Sequence, residues 1–159
     1  MEQLDKQILE FLHAAQKHQV KMLMVGGIAV NFYGYKRHSA DIDFWIKTSD
    51  DNLTKLKNAL NELGIVTHEF PNEVKKQQQN ISVKISPGME IELITRFNPG
   101  KSFEEAYRDA EEIIVRGKRL LQWKVLSLND LIVSKIRSKR AKDILDIHEL
   151  KRINKIGGE

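Results

Sequence analysis

Between Lys21 and Lys47 the chain spells out strand, glycine turn, short helix and strand again, and this run constrains the fold more than any other. "KMLMV" is apolar and short, as a buried strand is. Gly26 and Gly27 break it, and "GGIAVNFYG" then carries apolar residues at helical spacing until Gly34 closes the turn. Thirteen residues separate Gly27 from Asp41, where "DIDFWI" begins. In a strand, residues two apart share a face. Ile42, Phe44 and Ile46 therefore face the core, and Asp41 and Asp43 face the other way together. Their Cα atoms stand about 6.5–7 Å apart on strand geometry. Two acids so close repel unless a cation lies between them.

The remaining segments read as a small mixed sheet with helices packed on it, an α/β or α+β domain. Residues 3–18 are an amphipathic helix, with Leu4, Ile8, Phe11, Leu12 and Ala15 on one stripe. "TSDDNLTKLKNALNELG" is a second helix, capped by Ser49 and ended by Gly64. "IVTHEF" reads as a strand, and "VKKQQQ" as a helical turn or a loop. "ISVKIS" and "MEIELIT" flank a Pro-Gly turn and form a hairpin. A short helix is expected at 103–109, a second hairpin over "EIIVRGKRLLQWKV", a helix after Ser127 and a last one over about 141–156. The chain of 159 residues is expected to be one domain, with a core over about 20–125 and C-terminal helices over about 127–156.

"MEIELIT" supplies further acids. Met89, Ile91 and Leu93 take one face, and Glu90 and Glu92 the other. If this strand lies beside the first, three or four carboxylates converge. Oxygen ligands alone suit Mg²⁺ or Mn²⁺ rather than zinc. Such a cluster can serve the attacking and leaving oxygens of a phosphoryl transfer. The bland alternative is a solvated acidic pair neutralised by nearby Lys or Arg. The chain has no cysteine, so disulfides and thiolate metal sites are excluded.

Charge is uneven along the chain. Residues 116–142 hold nine Lys or Arg and one acid, whereas residues 1–115 hold 14 bases and 17 acids. The basic stretch is either a solvated face or one that meets phosphate. Lys135 falls among the apolar positions Leu128, Leu131, Ile132 and Ile136 of its helix, where an amine needs water or an anion. That anion is a nucleotide phosphate or a carboxylate. Asp143 and Asp146 border the apolar stripe of the last helix, with Arg140 beside it, so an interhelical ion network is the structural alternative. Trp45 shares the acid face and either packs or stacks on a base; His38 adjoins the motif. The longest apolar run is too short for a bilayer, and the N-terminus lacks the pattern of a signal peptide, so a cytoplasmic protein without membrane contact is expected.

"GGIAVNFYGYKRHSADIDFWI" resembles the signature of the nucleotidyltransferase superfamily related to DNA polymerase beta. Within it the pattern is similar to AbiEii-type toxins and minimal nucleotidyltransferase proteins of prokaryotes. Those often carry Arg and Thr before the acid pair; here Arg37 matches and Ser39 stands in for Thr. They also tend to end in "DLI…K…R.KD..D..EL", matched by Asp130, Lys135, Arg140, Lys142, Asp143 and Asp146. The resemblance covers residues 22–46, 89–95 and 128–150. It implies that Asp41 and Asp43 hold Mg²⁺ (or Mn²⁺) and that the backbone of Gly26 and Gly27 holds a nucleoside triphosphate. Glu92 takes the place of the third carboxylate, with Glu90 on the same face as the other candidate. Arg37, Ser39, Lys135 and Arg140 join the nucleotide-binding set.

The activity so implied moves a nucleotidyl group from an NTP to a hydroxyl of a tRNA 3′ end, a protein or a small molecule. A place in a toxin–antitoxin pair with a cognate antitoxin is part of the same implication. The alternative is a catalytically degraded domain of this fold that acts as a binding or partner protein. A nucleic-acid binder without chemistry would leave the acid faces unexplained.

Overall fold

The computed structural model describes residues 5–36 and 42–156. Helix α1 (Lys6–Lys17) leads into β1 (Met22–Val25), α2 (Gly26–Phe32), β2 (Ile42–Ile46) and α3 (Asp50–Glu62). The one-turn α4 (Asn72–Lys75) precedes the hairpin of β3 (Ile81–Ser86) and β4 (Met89–Ile94). Helix α5 (Phe103–Asp109), the hairpin of β5 (Glu111–Arg116) and β6 (Leu120–Val125), then α6 (Leu128–Ser138) and α7 (Ala141–Ile153) complete the chain. The sheet order is β3-β4-β2-β1-β6-β5, a mixed sheet. β2 runs antiparallel to β1 and parallel to β4, and β6 runs parallel to β1. This is the expected α+β architecture. Among the described residues no helix is long and apolar enough to cross a membrane.

Alternation along the central strands sorts their side chains onto two faces. Met24, Phe44 and Leu93 stand in one row across β1, β2 and β4, and all three are fully buried. Phe11 of α1 meets Phe44 with ring centroids 5.9 Å apart, so α1 covers this face. On the reverse face Leu23 and Trp45 are buried, and Trp45 packs its ring on Phe97 and Phe103 at 5.2 and 5.0 Å. Trp45 is therefore a packing residue on the acid face of β2.

Caps fall where the sequence puts them. Ser49 accepts from the Asn52 N–H, and Ser127 from the Asp130 N–H. Ser102 and Glu105 form a reciprocal capping box on α5. The strand expected over 65–70 is absent: those residues form no regular element. Ile65 and Val66 are neighbours, so alternation separates them, and Val66 stays 81% exposed. The local backbone bonds to the end of α3 instead, with the Thr67 N–H on Asn61 Oδ1 at 3.0 Å.

Asn52 fixes how α3 meets the sheet. It is buried, and its Oδ1 accepts from the Lys21 N–H at 2.7 Å. Its Nδ2 donates to Lys21 O at 2.9 Å and Lys47 O at 2.7 Å. One amide thus ties the start of β1 to the end of β2. Asn52→Ala removes the Asn52 bonds to the Lys21 N–H and the Lys47 carbonyl and leaves the Lys21 carbonyl only its bond from the Lys47 N–H, and the expected cost is about 2–4 kcal/mol, read by urea unfolding.

Candidate functional site

β1 delivers the chain to Gly26, which opens α2 with φ at +70°. Only glycine adopts this backbone at low cost. A second reason for glycine lies across the sheet. Val25 pairs with Asp43, and a Cβ on Gly26 would stand 2.5 Å from Asp43 Oδ2. The missing side chain is the space that the Asp43 carboxylate fills. Gly27 is buried one residue further into α2.

Asp43 is half-buried on β2, directly opposite Glu92 of β4 in parallel register. Both side chains therefore leave the sheet on the same face. Glu92 is half-buried, and its Oε1 accepts from the Ser82 hydroxyl at 2.6 Å. Glu90 is exposed and lies opposite Lys84 of β3. The register thus pairs Glu92, rather than Glu90, with Asp43. Arg37, His38, Ser39 and Asp41 lie outside the described residues. Among the described residues no group of three or more His, Cys, Asp or Glu is arranged to hold a metal ion.

Asp43 and Gly26 open onto a cavity of about 340 Å³. Arg96 and Asn98 line it from the segment after β4, and Lys135, Arg137 and Arg140 from α6 and its end. The cavity sets a carboxylate and a glycine turn against a wall of cations. Sequence reasoning reached Gly26, Asp43, Lys135 and Arg140, which share this cavity, but missed Arg96, Asn98 and Arg137. Leu131, Ser134, Lys135 and Ser138 all line it at helical spacing, a stripe that was there to be found.

Lys135 is 6% exposed. Its Nζ lies 2.8 Å from Asp146 Oδ2 and 3.3 Å from Asp143 Oδ1. Arg140 Nε reaches Asp143 Oδ2 at 2.8 Å, and the Ser138 hydroxyl donates to the same oxygen. The network joins α6 to α7 and holds two cations at the cavity wall. Lys139 and Lys142 are exposed, as expected of surface charges. Asp130 sits apart from the cavity, buried, with Oδ1 3.0 Å from Lys101 Nζ.

The whole of residues 1–158 matches the family described as nucleotidyltransferase of unknown function (DUF6036). The chain belongs to this nucleotidyltransferase family. No curated protein matches it. Membership of the family agrees with the nucleotidyltransferase superfamily resemblance; it carries nothing specific to AbiEii-type proteins.

Two expectations follow from this geometry. Gly26→Ala forces an L residue into left-handed backbone at about 1–2 kcal/mol and drives its Cβ into the Asp43 carboxylate. A lowered melting temperature should accompany loss of function at the cavity; a variant that melts like wild type would show that the turn relaxes freely. The second expectation concerns acid. Burial pushes the Asp143 carboxyl up, but hydrogen bonds from Arg140 and Ser138 and the Lys135 charge outweigh it and hold the group below its ordinary value of 3.8. Its stabilising contribution is therefore complete above that value and is lost as pH falls through the lower folded-state value. Asp143→Asn should lower stability at neutral pH by about 1.5–3 kcal/mol and flatten the acid limb, measured by unfolding from pH 7 to about pH 2.

Proposed function

We propose that this nucleotidyltransferase moves a nucleotidyl group from a nucleoside triphosphate to a hydroxyl acceptor at the cavity of Asp43, with Mg²⁺ or Mn²⁺ as the divalent ion. The observation that carries the reading is Asp43 beside Gly26 on the wall of a cavity that Arg96, Lys135, Arg137 and Arg140 also line, with Glu92 opposite Asp43 on the neighbouring strand. The donor set is all oxygen, which suits a hard cation. The space kept open at Gly26 leaves the Asp43 carboxylate room at the turn. Asp43 and Glu92 would hold the ion, with Asp41 as the further ligand that the family resemblance implies. When bound, the ion supplies positive charge to the triphosphate and acidifies the acceptor hydroxyl.

The chain's own residues divide the remaining work. The backbone of Gly26 and Gly27, at the turn into α2, would hold the triphosphate. Arg96 and Arg137 line the cavity beside Lys135 and Arg140, whose charges the Asp143 and Asp146 carboxylates already meet in part, and the four would offset triphosphate charge. The acceptor oxygen attacks the α-phosphorus, the bond to the β-phosphate oxygen breaks, and pyrophosphate leaves. One of the two carboxylates, Asp43 or Glu92, would receive the acceptor's proton. The basic residues at the cavity favour an acceptor that itself carries phosphate, a tRNA 3′ end before a protein side chain or a small molecule.

Calorimetric titration with ATP, GTP, CTP and UTP, with and without Mg²⁺, tests the reading. Wild type should bind at least one of them in a Mg²⁺-dependent way, and Asp43→Asn should lose that dependence. With a turnover assay the same variant should fall by at least about a hundredfold, the several kcal/mol that ion-assisted charge stabilisation supplies. Failure of a well-folded wild type to bind any of the four would overturn the proposal in favour of a domain that has kept the fold without the chemistry.

A further inference from the structure

The two edges of the sheet are built differently. At one edge β3 carries Lys84 in its middle, its register slips between Lys84 and Ser86, and Pro87 follows. A bulge, a lysine and a proline are devices that blunt an edge against further pairing. At the other edge β5 runs Glu111–Arg116 without a break, in continuous register with β6. It has no proline, and its centre is the β-branched run Ile113, Ile114 and Val115. Ile114 and Val115 are 44% and 43% exposed.

The backbone groups that β5 presents outward can be identified from its neighbour. The Gln16 side chain of α1 bonds β6 on the side away from β5: its Nε2 donates to Leu120 O at 3.0 Å, and its Oε1 accepts from the Gln122 N–H. The Leu126 N–H likewise donates to Met24 O of β1 at 3.0 Å. Even-numbered residues of β6 therefore turn their backbone groups towards β1 and α1, and Leu121, Trp123 and Val125 turn theirs towards β5. Their partners are Val115, Ile113 and Glu111. It follows that Glu112, Ile114 and Arg116 direct N–H and C=O outward, along an edge that no strand among the described residues pairs.

These three residues are complementary to themselves. An antiparallel copy centred on Ile114 sets Ile114 opposite Ile114, and Glu112 opposite Arg116 on both sides of the two-fold axis. Each of the three would exchange both backbone hydrogen bonds with the residue opposite. Centring on Glu112 would oppose like charges, and centring on Ile113 would leave both charges without an opposite. Of these three registers, the one centred on Ile114 satisfies backbone and charge together.

We infer that β5 is the self-association edge of this protein, joining two copies antiparallel through Glu112, Ile114 and Arg116 into one continuous sheet. Such an interface is isologous and closes as a dimer. It lies across β6 and β1 from the strand that carries Asp43, so it leaves the cavity open.

Sedimentation of the wild-type chain over a range of concentrations should show a species of twice the 18.4 kDa chain mass. Arg116→Glu places Glu opposite Glu and should raise the dissociation constant at least about tenfold. Adding Glu112→Arg to that variant should recover affinity towards wild type. The chain has no cysteine, which permits a direct test of register. Ile114→Cys should oxidise to a covalent dimer, since opposed Cα atoms in a hydrogen-bonded antiparallel pair stand about 5.5 Å apart. Val66→Cys, at a site 81% exposed, should not. A single 18.4 kDa species at every concentration would overturn the inference. So would a dimer indifferent to Arg116→Glu, or equal cross-linking by both cysteine variants.

Discussion

Strand β2 is pinned on both sides, and the site depends on that pinning. Its register against β1 puts Asp43 beside Val25, and its register against β4 puts Asp43 beside Glu92. A slip of one residue would turn Asp43 into the apolar face where Phe44 meets Phe11, and turn Phe44 out to the cavity. The cost of burying an unpaired carboxylate there opposes the slip. At the far end of the two strands the Asn52 amide bonds Lys21 and Lys47 and fixes the same register by hydrogen bonds. Apolar burial chooses the face, and the amide helps to choose the residue.

The Lys135 network answers a different need. A buried amine between two carboxylates is a poor source of stability, because the charges lose their water before they gain each other. An apolar trio of similar volume would join α6 to α7 at least as well. What the ions add is position. Asp143 accepts from Lys135, Arg140 and Ser138 at once, so a single carboxylate sets the place of two cations on the cavity wall. Arg140 keeps its outer side in solvent at 58% side-chain exposure, so it is oriented without being withdrawn from an incoming anion.

Much of this was legible in the sequence, for reasons that differ by element. The helices were readable because their caps and stripes are local: Ser49 and Ser127 each bond three residues ahead. The face shared by Asp43 and Glu92 was readable because alternation has a fixed period of two. Whether Glu90 or Glu92 stands opposite Asp43 was not, because register is a relation between strands distant in the chain. Arg96 and Arg137 were missed for a similar reason. Neither is unusual in its own segment, and only the packing of α6 beside the end of β4 brings them to one cavity. The false strand over 65–70 shows the converse. β-forming residues without one apolar face and a free edge to pair with remain irregular, and Thr67 bonds to α3 instead.

The basic stretch over 116–142 shows how folding rewrites a charge pattern. Counted along the chain, nine bases and one acid look like a single phosphate-binding surface. In the fold they separate. Arg116, Lys118 and Arg119 belong to the hairpin at the open edge of β5, whereas Lys135, Arg137 and Arg140 stand at the cavity on the far side of β1. Three bases at each place suit different partners. Those at the cavity face a half-buried carboxylate and are arranged for a ligand that carries its own negative charge to them. Those at the hairpin end a strand that begins with Glu111 and Glu112, so the charge along that edge runs from acid to base. An antiparallel neighbour with the same sequence reverses that order and sets Glu112 opposite Arg116 on both sides of the two-fold axis.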